Sequence, residues 1–156
     1  MTNELDLQLR EAASRGNVDQ VSDLLERKGA DVNSRDTNGW TALHWAAVHN
    51  NSAVISYLIQ KGVHVNEATK DGYTALQMAA VNNYFSVVAC LMQHDADINA
   101  TSSKGETVLE LVKKYNHKET IKIIESYTST SIVCVQVTSP STPFQPSAVK
   151  SQFENA

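Results

Sequence analysis

Cysteine and proline are both scarce in this sequence of 156 residues. Its two cysteines, Cys90 and Cys134, are too few for the disulfide framework of a small secreted protein, and they fit a reducing compartment. All three prolines lie at or beyond Pro140, where the composition changes. With 42% hydrophobic residues, a chain of this length can form one domain with an ordinary core.

Clustered positive charge and long apolar runs are also absent. Acidic residues outnumber basic ones by 17 to 13, and like charges nowhere form a block. Since affinity for phosphate rests on clustered lysine and arginine, we expect no nucleic-acid partner. No stretch approaches the roughly 18 apolar residues that cross a bilayer, and charges interrupt residues 1–16, where a signal peptide would be apolar. We therefore expect a protein that does not associate with membranes. Its expected location is the cytoplasm, with the nucleus as an alternative.

Signatures of catalysis and of metal binding are lacking too. The five histidines are dispersed along the chain, and no glycine-rich phosphate loop is present. Cys90 and His94 have a spacing that suits two zinc ligands, but no second pair accompanies them. We therefore expect no enzyme activity, no cofactor and no metal site.

What the sequence does contain is a repeat of 33 residues. Four landmarks stay in phase along it: Gly39, Gly72 and Gly105; Thr41, Thr74 and Thr107; Leu43, Leu76 and Leu109; Asn33, Asn66 and Asn99. A unit this short cannot bury its own apolar face, so its copies must stack and share one elongated core. The repeat therefore predicts a solenoid, for which binding is the default function.

Each unit reads as two helices. A threonine precedes the first helix as its N-cap, and Thr74–Gln77 and Thr107–Glu110 have the spacing of a capping box. The second helix shows a helical apolar pattern and ends near Gly29 or Gly62, where a left-handed backbone costs little. We predict a repeat domain over residues 1–127, divided into an N-terminal cap unit, two complete units and a C-terminal cap unit: 3–35, 36–68, 69–101 and 102–127.

The segment Thr41-Ala42-Leu43-His44-Trp45-Ala46-Ala47, followed by Gly62-Val63-His64-Val65-Asn66, resembles the ankyrin repeat, which joins T-P-L-H-x-A-A to G-A-D-V-N. The resemblance covers roughly residues 5–127. It implies an all-α solenoid of helix-turn-helix units with β-turn or hairpin fingers. It also implies a concave groove, lined by the fingers and the first helices, that binds other proteins without chemistry of its own. In the later units Gln77 and Glu110 replace the histidine of the pattern.

Mapping the pattern onto this sequence predicts where a partner protein binds. The finger positions are Arg35, Thr37, Asn38, Trp40, Lys70, Asp71, Tyr73, Ser103, Lys104 and Glu106, and the groove positions are Val48, His49 and Asn82. Trp40 and Tyr73 share one slot and suggest an aromatic binding stripe, the alternative being that each ring covers the next finger. Trp45, in a core-facing slot, is expected to pack.

Few charges lie in the two complete units: residues 36–101 hold two basic and five acidic side chains. We therefore expect recognition mainly through apolar and hydrogen-bond contacts, with weak salt dependence. The function predicted from sequence is a monomeric, non-catalytic adaptor that binds a partner protein. The alternative is a regulatory subunit or inhibitor that docks on an enzyme.

Two kinds of covalent modification are also suggested. Asn33 and Asn99, each with an aspartate two residues earlier, resemble sites of the asparaginyl hydroxylase that acts on ankyrin domains, and Asn66 is a poorer match. The alternative is that these asparagines only form hydrogen bonds within their turns. Ser139 and Thr142 each precede a proline and resemble sites of proline-directed kinases.

The C-terminal residues 128–156 are rich in serine, threonine and proline, which predicts a flexible tail without a packed core. Residues 132–137 differ, because Ile-Val-Cys-Val-Gln-Val has strong strand propensity. This stretch is expected to pair with a sheet edge of a partner or to lie along the last repeat, the alternative being a loosely ordered apolar segment.

Overall fold

The computed structural model describes the backbone of residues 4–137 and the side chains of residues 4–128. Within this part every regular element is a helix. The helices are α1 Glu4–Arg15, α2 Val18–Glu26, α3 Ala42–Val48, α4 Ser52–Gln60, α5 Ala75–Val81, α6 Phe85–Gln93, α7 Val108–Lys114 and α8 Lys118–Val137. The all-α class predicted from the repeat is confirmed.

The helices form two stacked layers. The first helices of the units pack side by side, α1 on α3, α3 on α5 and α5 on α7. The second helices α2, α4 and α6 pack behind them in the same order. Each unit thus buries its apolar face against its neighbours, which is the arrangement that a short repeat requires.

Alanine pairs and branched aliphatic residues fill the space between the layers. In α3 the residues Leu43, Ala46 and Ala47 are at most 1% exposed, and their equivalents in α5 are equally buried. In α4 and α6 the predicted apolar positions Val54, Ile55, Leu58, Val87, Val88 and Leu91 have no exposed surface. Because alanine is small, neighbouring first helices approach closely, and the larger residues of the second helices fill the remaining volume.

Left-handed backbone conformations end the second helices as predicted. Gly62 follows α4 with φ +85°, and Asp95 occupies the same slot after α6 with φ +68°. A second series of left-handed residues lies between the two helices of each unit, at Gly16, Asn50, Asn83 and Asn116. Sequence analysis missed this series, although its regular spacing and the tolerance of asparagine for this conformation were readable.

The fingers are tight turns that bond to one another. In the first of them, the backbone N–H of Asp36 donates to the carbonyl of Trp40 at 3.0 Å. The Lys70 N–H of the second finger then donates to the carbonyl of Asn38 at 3.0 Å, and the Ser103 N–H of the third donates to the carbonyl of Asp71 at 3.3 Å. Three consecutive fingers are therefore held in a row by their own backbone.

Helix α8 corrects one prediction. The chain separates into two compact units, the first ending at Ile124 and the second beginning at Glu125. The backbone is helical up to Val137, so the strand predicted for residues 132–137 is wrong. The flexibility predicted for residues 128–156 stays a prediction. Extending an existing helix costs little free energy, because each β-branched residue is less favourable in a helix than a good helix former by only about 0.5 kcal/mol. The rest of the predicted tail, including Ser139 and Thr142, lies outside the described residues.

Candidate functional site: a concave pocket across three repeats

A concave pocket with a volume of about 320 Å³ lies where the fingers meet the first helices. We call it the groove pocket. Its lining residues are Trp40, Val48, Asp71, Tyr73, Met78, Val81, Asn82, Lys104, Glu106, Leu111, Lys114 and Tyr115. They come from three consecutive fingers and from α3, α5 and α7. Stacking of the repeats therefore creates a site that no single repeat contains.

The predicted binding residues divide between this pocket and its surroundings. Those that line it are Trp40, Val48, Asp71, Tyr73, Asn82, Lys104 and Glu106. The pocket also includes Lys114 and Tyr115, which sequence analysis did not propose, although they repeat the slots of Val48 and His49 two units later. Val81 repeats the slot of Val48 in the same way. Extending each predicted slot along the repeat would have found all three residues.

The floor of the groove pocket includes two residues of the core. Met78 is 8% exposed and Leu111 is 2% exposed, yet both line the pocket. They share a slot with Trp45, which sequence analysis assigned to packing. The same position of the repeat thus contributes to the core and to the pocket floor.

Several predicted finger residues lie outside the pocket and have internal partners. The Arg35 guanidinium pairs with the carboxylate of Glu67 and donates to the carbonyl of Ala68 at 2.8 Å. Lys70 contributes its backbone to the contact between fingers, and its side chain is exposed, as is that of Thr37. Arg35 therefore ties its own finger to the next repeat.

An aromatic cluster borders the pocket at its N-terminal end. The ring centroids of Trp40 and Trp45 are 4.7 Å apart, and His49 stacks on Trp45 at 6.2 Å with an interplanar angle of 9°. The indole N–H of Trp45 is buried and has no hydrogen-bond acceptor among the described residues. Trp40 thus has two surfaces, one that packs against Trp45 and one that faces the pocket.

The side chain at the histidine position of the repeat forms hydrogen bonds that connect one unit to the next. The Thr41 N–H donates to Nδ1 of His44 at 3.0 Å, and Nε2 of His44 donates to the carbonyl of Glu67 at 2.9 Å. Because His44 is 1% exposed, burial lowers the pKa of its imidazole from the ordinary value of 6.5. Both hydrogen bonds require the neutral ring with its proton on Nε2.

Other side chains perform the same task in the neighbouring units. The amide oxygen of Gln77 accepts from the Thr74 N–H at 3.0 Å, and its amide nitrogen donates to the carbonyl of Ala100 at 2.8 Å. In the first unit the Arg10 guanidinium donates to the hydroxyl of Ser34 at 3.0 Å. Glutamine therefore replaces the histidine of the pattern without losing either hydrogen bond.

In the last unit Glu110 keeps one of these two bonds. Its carboxylate accepts from the Thr107 N–H at 2.8 Å, and the Glu110 N–H donates to the Thr107 hydroxyl at 3.3 Å. The predicted capping box is thus present at Thr107 and, with Gln77, at Thr74. A carboxylate cannot donate, so Glu110 cannot form the second bond, which His44 and Gln77 donate to a backbone carbonyl of the following segment.

Four charged side chains line the pocket. The Lys114 ammonium pairs with the Glu106 carboxylate at 3.2 Å, and this hydrogen bond raises the pKa of Lys114. Within the described residues, the side chains of Asp71 and Lys104 have no ion-pair partner. The pocket therefore presents one carboxylate and one ammonium group to a ligand.

The repeat asparagines differ in their side-chain bonds. The amide oxygen of Asn33 accepts from the His64 N–H at 2.7 Å, and that of Asn66 accepts from the Asp97 N–H at 2.7 Å. Asn99 ends the last complete unit, and its exposed side chain has no hydrogen bond within the described part of the chain. Two of these asparagines thus connect units, whereas the side chain of the third forms no such bond among residues 4–128.

Among the side chains of residues 4–128, no three histidine, cysteine, aspartate or glutamate residues are grouped so that they could hold a metal ion. No helix within residues 4–137 combines the length and the apolar character of a membrane span.

Stacked helix pairs, bonded fingers and a concave face that crosses several units define a repeat protein of the binding class. The sequence profile of ankyrin repeats, in three copies, matches residues 9–102. This match covers more than half of the chain, and the chain belongs to the ankyrin-repeat family. The resemblance seen in the sequence is confirmed. Ankyrin repeats generally mediate interactions between proteins, and the repeat domain is not catalytic.

Relatives match through the repeats. Ankyrin repeat domain-containing protein 40 of Mus musculus is 52% identical over 52 residues, which make up 33% of this chain and 14% of that protein. Mitochondrial disaggregase of Bos taurus is 50% identical over 54 residues, or 35% of this chain and 8% of that protein. Palmitoyltransferase akr1 of Schizosaccharomyces pombe is 42% identical over 48 residues, which make up 31% of this chain and 8% of that protein. The matched segments are thus a small fraction of each relative.

Proposed function

We propose that this protein is a non-catalytic adaptor that binds a segment of a partner protein in the groove pocket. The observation that carries the proposal is one concavity that three repeats build together, with Trp40, Tyr73 and Tyr115 among its lining residues. We further propose that it acts as a monomer in the cytoplasm or nucleus, in keeping with its two cysteines.

The chemistry of the pocket supports recognition by apolar contact. Aromatic side chains are enriched among the residues that dominate binding energies, because they offer a large rigid surface at low entropic cost. Among the described residues that line the pocket, Asp71 and Lys104 alone have a charge without an ion-pair partner, so few ionic contacts are available to a ligand. Binding should therefore depend weakly on salt concentration.

Tyr73→Ala is the variant that tests this proposal. Removing the ring should weaken binding of a pocket ligand by about 2 kcal/mol, or about 30-fold in Kd. Trp40 is less suitable, because its ring packs on Trp45 and its loss would also destabilise the fold. Peptides selected from a random displayed library on the wild type would be titrated against each variant, with tryptophan fluorescence as the readout.

Phe85→Ala is the matched control, since Phe85 is an aromatic residue that is 46% exposed on α6 and does not line the pocket. It should bind the selected peptides with unchanged affinity. Equal affinities of the wild type and Tyr73→Ala would remove the pocket from the proposal. A large fall in the melting temperature of Tyr73→Ala would instead show that this ring supports the core.

A regulatory subunit or inhibitor is the rival function. It is favoured by the names of two relatives that carry matching repeats, a disaggregase and a palmitoyltransferase. Once a partner enzyme is captured, its turnover would be measured with and without saturating protein. An adaptor leaves the turnover unchanged, whereas an inhibitor lowers it.

We also propose Asn99 as a site for asparaginyl hydroxylation, in preference to Asn33. The amide oxygen of Asn33 accepts a hydrogen bond from the backbone N–H of His64. The side chain of Asn99 is exposed and forms no hydrogen bond within the described part of the chain. A hydroxylase must reach and reorient the side chain, which is easier where no hydrogen bond breaks. After incubation with the enzyme, mass spectrometry of the peptides should find one added oxygen at Asn99 and an unmodified Asn33. The reverse order would contradict the proposal.

A further inference from the structure

The two unpaired charges of the groove pocket occupy equivalent positions in neighbouring units. Asp71 and Lys104 are 33 residues apart, so each takes the same slot at the tip of its finger. The backbone bond from Ser103 to Asp71 holds these two tips side by side. The remaining charges of the pocket, Glu106 and Lys114, neutralise each other. The rim is therefore negative on one finger and positive on the next.

Apolar residues lie between these charges and the helices. Met78 and Leu111 belong to the same two units as the charges and line the same pocket. Tyr73, two residues after Asp71, lines it as well. A ligand that crosses the pocket from one unit to the next thus meets a carboxylate, an apolar floor and an ammonium group.

The stacking distance fixes the length of ligand that fits. Helices in contact lie about 8–10 Å apart, so equivalent slots of neighbouring units have roughly that separation. An extended segment of the polyproline II type advances about 3.1 Å per residue and returns every third side chain to the same face. Side chains that reach Asp71 and Lys104 should therefore be about three residues apart in a bound segment.

We infer that the groove pocket binds an extended segment of its partner in one direction: a basic residue at Asp71, an acidic residue about three positions away at Lys104, and a bulky apolar side chain between them above Met78 and Leu111. This inference rests on the proposed function and adds the chemistry of the partner to it. Reversing the segment would place like charges together, which complementary interfaces avoid.

The size of the effect follows from the exposure of these charges. Both side chains lie on the exposed tips of fingers, where ion pairs contribute little to affinity. Their main consequence is the choice of direction, since one direction gains two weak attractions and the other suffers two weak repulsions. We expect about a tenfold difference in Kd between a peptide and its counterpart with the two charged residues exchanged.

A charge swap tests this inference without altering composition. The double variant Asp71→Lys/Lys104→Asp keeps the net charge of the protein, and both positions are exposed, so its melting temperature should match the wild type. A random displayed peptide library would be selected on the wild type and on this variant. Each peptide that the wild type enriches should bind the variant about tenfold more weakly, and exchanging the basic and acidic residues of that peptide should restore its affinity for the variant.

The matched control is Glu119→Lys/Lys122→Glu, which exchanges an exposed ion pair of 3.9 Å between residues that do not line the pocket. This variant should bind the selected peptides with unchanged affinity. Selected peptides that lack paired basic and acidic residues, or whose affinity survives the swap at Asp71 and Lys104, would overturn the inference and leave the proposed function standing.

Failure of the proposed function gives a different result. In that case no peptide would be enriched by the wild type over Tyr73→Ala. If a second copy of the chain occupied the pocket, the wild type would sediment as a dimer and Tyr73→Ala would sediment as a monomer. That result would also overturn the inference.

Discussion

Replacing Gly72 by alanine is expected to lower the free energy of unfolding by about 3 kcal/mol. Gly72 has φ +81°, a conformation that costs an L-residue about 1–2 kcal/mol. In addition, a Cβ at this position would lie 2.6 Å from the backbone nitrogen of Ser103 in the next finger. Backbone cannot move aside as the end of a side chain can, so the two fingers would have to separate.

Gly105→Ala separates the two contributions. Gly105 has almost the same φ, +79°, but an added Cβ would meet nothing within 4 Å. Its substitution should therefore cost about 1–2 kcal/mol, from conformation alone. Urea unfolding of both variants would give the difference. Equal losses would show that the spacing of the fingers does not contribute to stability.

The substitution Gly72→Ala should also weaken ligand binding. Gly72 immediately precedes Tyr73, and the finger that it approaches carries Lys104 and Glu106. Separating these fingers would widen the groove pocket between two of its walls. At temperatures where both variants remain folded, Gly72→Ala should weaken peptide binding more than Gly105→Ala does, because only Gly72 contacts the neighbouring finger.

How much of this structure the sequence predicts depends on whether a feature follows the repeat. The period places every slot once one unit is understood, so the capping boxes at Thr74 and Thr107 and the buried Leu58 and Leu91 could be predicted. Helix α8 does not follow the period beyond the last unit. There local propensity was the only guide, and it was overridden by continuation of an existing helix.

The residues of the candidate site also divide into those whose position follows from the repeat and those whose contacts do not. Slots predicted from the pattern supplied residues such as Tyr73 and Asp71, which line the pocket. The internal pairing of Arg35 with Glu67 could not be predicted, because the repeat fixes the backbone position of a long side chain and not its rotamer. The replacement of a histidine by Gln77 was visible in the sequence, but its equivalence required the two hydrogen-bond distances.

His44→Ala is expected to lower the free energy of unfolding by about 3 kcal/mol. It removes the imidazole, so the Thr41 N–H and the Glu67 carbonyl both lose their hydrogen-bond partner, at roughly 1–3 kcal/mol for each group that stays buried. His44→Gln is the matched variant, because Gln77 forms the equivalent two bonds one unit later. It should retain most of the stability in urea unfolding.

The two variants should also differ from the wild type in their response to pH. Burial lowers the pKa of His44 below 6.5 in the folded chain, so the unfolded chain takes up the proton first as pH falls. The contribution of His44 is thus fully present above pH 6.5 and is lost as pH decreases toward the lowered pKa. Of the charged groups near the ring, Arg35 opposes protonation and Glu67 favours it, and burial outweighs both.

Measuring urea unfolding of the wild type and His44→Gln between neutral and mildly acidic pH isolates this contribution. The other four histidines are unchanged in the variant, so their titration cancels in the comparison. Wild-type stability should fall more steeply with acid, because protonation at Nδ1 removes the acceptor of the Thr41 N–H. Glutamine does not titrate and keeps that acceptor. Parallel curves would mean that His44 accepts a proton in the folded chain without losing the bond, which would contradict the neutral tautomer assigned to it.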